Sequence, residues 1–349
     1  MLYRLILAIR HLFYDKGWKK SFTSPVSTVC IGNISVGGTG KTPHTEMLLK
    51  LLLQSDDWAY SNLAVLSRGY KRRLKGFRIV SRDGSARDYG DEPLQLARKF
   101  PAVTVAVDKD RVEGCRLLAE GGVAADGTEP VLPKASLIVL DDAFQYRRLR
   151  CDVNIVLVDY NRPVHKDRLL PWGRLRDLPS RLRAADIVIV TKCPLYMNEW
   201  EKGEWASAMG LLPDQKIFFT SISYLPMEPV FEEADSRFTY SPRVILFSGI
   251  AKDGPLRSFL SDKYKIVRRF AFPDHHRYSR GDIRSIMGAV RDCPTAGVVT
   301  TEKDAQRIRD VKKLPEELKQ RLFYVPIEVG FLGEGEKERF ADTLLALLH

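Results

Sequence analysis

A chain of 349 residues is long for one hydrophobic core and points to about two domains. Hydrophobic residues make up 44% and charged residues 28%, which excludes a disordered chain, and no apolar run approaches the roughly 18 residues that would span a bilayer. Lys+Arg number 55 against 44 Asp+Glu, a net charge of +11, so an anionic partner is expected: nucleic acid, a phosphorylated small molecule or an anionic membrane surface.

Residues 1–14 are apolar but carry Arg4 and Arg10, and no small-residue cleavage site follows, which argues against a signal peptide. As a helix, Leu2, Leu5, Ile6, Ile9 and Phe13 form one stripe with Arg4 and His11 opposite, and Lys16, Lys19 and Lys20 follow. Packing on its own domain is the plainer reading; an interfacial helix on anionic lipid is the sharper one. Residues 26–34 read as a buried strand and 41–54 as the helix after it. Short apolar runs at 63–66, 77–80, 103–107, 137–140, 153–158 and 187–190 alternate with helical stretches near 91–100 and 108–120. Such a pattern indicates a parallel sheet covered on both faces. Residues 121–133 read as a loop.

The proline-bearing stretch over 215–243 suggests a boundary. A second α/β series follows: strand 244–247, helix 255–260, strand 266–272, helix 280–290 and strand 297–300, with 323–327 as a candidate last strand and 336–348 as a closing amphipathic helix. The expected division is a core domain over 1–217, a linker over 218–243 and a smaller α/β domain over 244–349, whose final helix is free to return to the core. The five cysteines are far apart and show no metal-ligand spacing, as suits a reducing cytosol.

Ser35, Val36, Gly37, Gly38, Thr39, Gly40, Lys41 and Thr42 carry the GK[ST] ending of a Walker A loop, between strand and helix as that loop requires; Ser35 stands where its first glycine usually does. Gly37, Gly38 and Gly40 let backbone N–H groups approach phosphate oxygens. Lys41 reaches the β- and γ-phosphates, Thr42 offers a hydroxyl to Mg²⁺, and the helix contributes its positive end. The run 137–140 ends in Asp141 and Asp142, where such a site needs an acid: one to hold Mg²⁺, the other to orient water or the loop. ATP and Mg²⁺ are therefore the expected cofactors. A regulatory GTPase would read guanine with [NT]KxD, but Pro194 fills the Asp position after Thr191 and Lys192, and Lys303 and Asp304 are adjacent. A basic ATPase acting on nucleic acid has only the net charge in its favour.

The string IGNISVGGTGKTP at 31–43 resembles the P-loop of the tetraacyldisaccharide 4′-kinase family. LSRGY at 66–70, GDEP at 90–93, DDAFQ at 141–145, RLLP at 168–171, FPDH at 272–275 and TEKD at 301–304 resemble that family in order. Two departures stand out: Ala143 replaces the family's usual glycine, and Asp177 replaces a glutamate. The resemblance implies a P-loop NTPase core with a mostly parallel sheet, plus a smaller C-terminal α/β lid. It implies transfer of the ATP γ-phosphate to the 4′-hydroxyl of a tetraacylated disaccharide 1-phosphate, giving lipid IVA, at the cytoplasmic face of a Gram-negative inner membrane. Its partners would be ATP, that lipid and an anionic membrane, without nucleic acid.

By local physics Asp91 is a helix-capping carboxylate beside Pro93. The resemblance makes it the candidate that activates the 4′-hydroxyl and points to His275 as the functional histidine, with Asp274 as a candidate to orient the imidazole; closure of the two domains is expected to bring His275 to Asp91. The resemblance also puts Asp177 near the magnesium. Arg68, Arg72 and Arg176 are the candidates for contacts to substrate phosphate, ATP or the transferring group.

Overall fold

A computed structural model of the protein describes residues 2–56, 58, 61–122 and 132–349. Most of the loop expected over 121–133 lies outside the described residues. The larger sheet has nine strands in the order Ile327–Phe331, Lys216–Tyr224, Ile187–Thr191, Val153–Asp159, Ser27–Asn33, Leu137–Asp141, Leu63–Ser67, Thr104–Val107, Arg78–Ile79. Pairing is parallel throughout except at its two edges. The inner strands read as unbroken apolar runs because helices cover both faces. Val29 and Ile31 face one core with Leu48, Val65 and Phe218, whereas Cys30 faces another with Leu66, Ile138, Val156 and Val188. Ser27–Asn33 sits at the centre, and in an open α/β sheet the carboxyl ends of central strands are where ligands bind.

The second sheet has five strands in the order Glu228–Pro229, Leu322–Val325, Gly297–Thr301, Arg243–Ser248, Lys265–Ala271, with its core built on Phe247, Ile286 and Leu322. The chain does not divide where the sequence suggested. Lys216–Tyr224, assigned largely to the linker, is a strand of the first sheet, because Phe218 and Phe219 are buried there before the prolines begin. Residues 323–327 split at Pro326: Leu322–Val325 closes the second sheet, and Ile327–Phe331 crosses back to pair antiparallel with Lys216–Tyr224. The final helix Glu336–Leu348 returns with it and buries Phe340 against Phe218 at 5.2 Å. The two units are therefore joined by two adjacent crossings, and the Leu225 amide donates to the Pro326 carbonyl at 2.9 Å.

The helix Leu2–Asp15 docks by the face opposite its apolar stripe. His11 is only 5% exposed, whereas Leu2 is 72%, Leu5 56% and Ile6 53% exposed. Tyr3 donates to the Arg176 carbonyl at 2.9 Å, Arg10 to the Gln145 carbonyl at 2.7 Å, and Arg147 to the His11 carbonyl at 3.1 Å. The stripe is thus left facing outward rather than packed on the core.

Candidate active site

The glycine-rich loop leaves the central strand and enters the helix Lys41–Gln54 through Gly40, whose φ of +92° is a conformation side chains disfavour. A Cβ there would also lie 3.3 Å from the His44 ring. His44, one turn along, holds the Gly40 carbonyl at 2.7 Å; a carbonyl only accepts, so Nδ1 donates and Nε2 accepts from the Thr220 hydroxyl at 2.9 Å. Burial lowers the His44 pKa to about 4, keeping the ring neutral for this bridge. Further contacts set the loop from outside. Asn33 donates to the Thr39 hydroxyl at 2.7 Å, Thr191 to the Thr39 carbonyl at 2.9 Å, and Val36 to the Arg174 carbonyl at 2.7 Å. Lys192 bridges the Gly38 carbonyl and Asp159. Thr191 and Lys192, weighed in the sequence only as a failed guanine motif, thus act as braces of the phosphate loop.

Lys41 lies 3.7 Å from Asp142, which also receives the Arg176 guanidinium. Burial opposes ionisation of Asp142, but Lys41 and Arg176 outweigh it and hold the carboxyl below its usual range. Asp141 is the reverse case: burial, then the nearby Glu92 and Asp142 charges, push it up to about 7. Its Oδ2 accepts from Ser67 at 3.3 Å, and its buried Oδ1 has no partner among the described residues. The unmatched oxygen of this buried carboxylate suits a hard cation, although among the described residues no three acidic or imidazole side chains converge into a full ligand set. Thr42, buried one residue beyond Lys41, supplies a hydroxyl. The residues present therefore fit Mg²⁺.

On the far side of this cluster, Gly90 (φ +98°) leads into the helix Asp91–Lys99, and its Cβ position would lie 3.4 Å from the Gly69 Cα. Positive φ at both Gly90 and Gly69 (+63°), with a Cβ at Gly69 only 2.9 Å from the Tyr89 carbonyl oxygen, explains a glycine in each of the LSRGY and GDEP segments. Asp91 is buried, and its Oδ2 is 3.2 Å from His275 Nδ1 on the loop after Lys265–Ala271. His275 itself has φ +61°, and Tyr70 lies 5.6 Å from its ring. Asp274 is 3.8 Å from His275 Nε2, beyond hydrogen-bond reach. His276 instead accompanies the capping box of Arg280–Asp292, 3.0 Å from Asp282. Arg307, absent from the sequence reading, donates to Asp91 Oδ2 from Nε at 3.0 Å and also from Nη2. Glu92, given no role from the sequence, pairs with Lys303 and stands close enough to Asp141 to raise its pKa. Asp91 and His275 are thus linked through Glu92 and Lys303 to Asp141 and Asp142, which end the strand beside the phosphate loop.

The arginines separate. Arg176 lies within the cluster, bonded to Asn33 and Asp142. Arg72 turns back on its own loop, donating to the Gly76 carbonyl at 2.6 Å, and Arg68 is exposed. Arg111, unmarked by any motif, lies over the Tyr146 ring and is only 4% exposed; burial and then the Arg68 charge lower its pKa, and Asp142 and Asp141 oppose them only in part. Asp177 is fully buried and joined to His11 at 2.6 Å and to the Leu178 amide at 2.8 Å, so its Oδ1 is engaged in anchoring the N-terminal helix; Oδ2 has no partner among the described residues.

Known proteins resemble this chain along nearly its whole length. Residues 1–349 match the family described as Tetraacyldisaccharide-1-P 4′-kinase. A tetraacyldisaccharide 4′-kinase of Parabacteroides distasonis is 39% identical over 97% of this chain and 90% of its own length. One from Phocaeicola vulgatus is 37% identical over 96% and 90%. A crystal structure of LpxK from Aquifex aeolicus, described as an "apo" form in complex with ATP, superposes with a TM-score of 0.72 at 27% identity, covering 100% of this chain and 96% of that one.

Proposed function

The chain belongs to the tetraacyldisaccharide-1-P 4′-kinase family, and from that premise we propose how its own residues carry out the reaction. It is a kinase that moves the γ-phosphate of ATP to the 4′-hydroxyl of a tetraacylated disaccharide 1-phosphate, the step that yields lipid IVA in lipid A biosynthesis. Backbone N–H groups of residues 35–42 and Lys41 hold the ATP phosphates. Thr42, Asp141 and Asp142 would hold Mg²⁺, which when bound neutralises phosphate charge. Arg176 and Arg111 add positive charge beside the same carboxylates.

Asp91 receives the acceptor hydroxyl, and His275 orients or relays its proton. A sugar hydroxyl is a weak acid and the transition state is loose, so orientation matters more than full proton removal. The second unit acts as a lid. Its two crossings at Leu225 and Pro326 are narrow, and closing it excludes water that would otherwise hydrolyse ATP.

Among the described residues no helix is long and apolar enough to cross a membrane. The outward apolar stripe of Leu2–Asp15, with Lys16, Lys19 and Lys20 beyond it, suits a peripheral position on anionic lipid at the cytoplasmic face of the inner membrane. Arg68, exposed on the basic loop before Asp91, remains a candidate for contact with a substrate phosphate, ATP or the transferring group, whereas Arg72 is engaged by the Gly76 carbonyl.

The observation that carries this reading is the 3.2 Å approach of Asp91 to His275, from two different units, beside the phosphate-loop carboxylates. Incubation with Mg-ATP and detergent-solubilised disaccharide 1-phosphate should give a product one phosphate heavier. No product across plausible acyl lengths would overturn it.

A further inference from the structure

The helix Glu302–Ile308 packs against Asp91–Lys99 and faces it with charge. Lys303 meets Glu92, Glu302 meets Lys99 at 3.0 Å, and Gln306 accepts from Arg98 at 2.6 Å. These pairs, together with the Ala86 and Arg87 amides donating to Asp310, help to dock the two units. Arg307 does something else: its side chain, 7% exposed, shares the one Asp91 oxygen that His275 also touches. Its Nη1 donates to the Gly249 carbonyl and to Asp304, each at 2.8 Å. Asp304 is fixed in turn by the Gly249 amide at 2.9 Å and the Thr301 hydroxyl at 2.7 Å. The fork cannot turn away without breaking buried bonds.

A carboxylate oxygen has about two lone-pair sites. Oδ2 of Asp91 faces two guanidinium nitrogens of Arg307 and the His275 ring nitrogen and is saturated, whereas among the described residues Oδ1 receives only the Glu92 amide at 3.0 Å. Taking Asp91 as the group that receives the acceptor hydroxyl, we propose that Arg307 is a positioning residue, fixing the carboxylate so that Oδ1 is the oxygen offered to that hydroxyl. Arg307 and His275 both come from the second unit, so the orientation is set only when the units are docked. The titratable and charged groups facing Asp91 are His275, Arg307 and Lys303 from the second unit and Glu92 from its own helix; Asp304 lies behind Arg307. Burial opposes ionisation, but His275, Arg307 and Lys303 together hold the Asp91 carboxyl well below the usual range.

The test uses the full-length enzyme with Arg307→Gln and Arg307→Lys, each alone and combined with Asp91→Asn. Turnover, the KM for ATP and the pH dependence of kcat are measured. Arg307→Gln should lower kcat by about a hundredfold, the scale of a misplaced reacting group, with the KM for ATP unchanged. The acidic limb of its kcat profile should rise toward about pH 4, where an ordinary aspartate titrates. Arg307→Lys keeps the charge without the fork, so the limb should stay low while kcat recovers only in part. In the Asp91→Asn background either substitution should lose nearly all its effect. An unchanged kcat in Arg307→Gln, or an equal fold-loss with and without Asp91→Asn, overturns the proposal. If Arg307→Gln does not fold, the same comparison with Arg307→Lys decides. Near-normal turnover in Asp91→Asn alone would overturn the role of Asp91 and the proposal with it, an outcome recognised before Arg307 is changed.

Discussion

The phosphate loop and the acceptor-side cluster are built in opposite ways. Residues 35–42 form a continuous segment whose shape follows from Gly40 and its neighbours, with braces from the same sheet. The acceptor side gathers Asp91, His275 and Arg307 across sequence separations of 184 and 216 residues, and from two units. One half of the site therefore exists in the first unit by itself, and the other exists only when the second unit is docked. Nucleotide binding and phosphoryl transfer should accordingly be separable by mutation.

Lys41→Ala should have the largest effect, about a thousandfold in kcat, because the transferring group loses a cation fixed in place. Rates near normal in a folded Lys41→Ala protein would reduce residues 35–42 to a structural turn. Asp91→Ala and His275→Ala should each cost about a hundredfold in kcat. Their affinity for ATP, measured by calorimetry, should hardly change; a marked loss would place Asp91 in the nucleotide half and break the comparison.

A smaller effect concerns the N-terminal helix. Replacing Lys16, Lys19 and Lys20 by Ala should weaken binding to anionic vesicles by about 1 kcal/mol per lysine at low salt, with binding to neutral vesicles little altered. Equal binding on both would leave the exposed stripe without a lipid role.

The smallest effect is on stability. The Asp141 pKa of about 7 lies above its unfolded value of about 3.9. The folded protein therefore binds more protons between those values, and the stability Asp141 contributes is lost as pH rises from about 4 to about 7. In metal-free protein, Asp141→Asn should not show that loss, so its melting temperature should gain on the wild type across this window. Parallel melting curves would mean that Asp141 titrates normally.

Legibility in the sequence followed the same division. The strand Ser27–Asn33, the loop and the helix Lys41–Gln54 are contiguous, and period and glycine spacing suffice to place them. Asp91 and His275 were legible only through resemblance, since local physics offers a helix cap and a loop histidine. Arg307 was missed because an arginine on a short helix reads as a solvated charge until packing buries it. The unit boundary was misplaced because prolines mark where a chain turns, whereas Ile327–Phe331 crosses back through a single residue, Pro326. The helix Leu2–Asp15 showed its stripe plainly. Which face docks was decided by His11 and Asp177, 166 residues apart.

The central claim is that Asp91 and His275, contributed by different units, act as one group in the transfer step. A double-mutant cycle on kcat with acceptor saturating tests it most directly, using Asp91→Ala, His275→Ala and the pair. Groups acting as a unit lose activity non-additively, so the double variant should be little slower than either single one. Fully multiplicative losses would show that the two residues act independently, and would return Asp91 to the role of a helix cap.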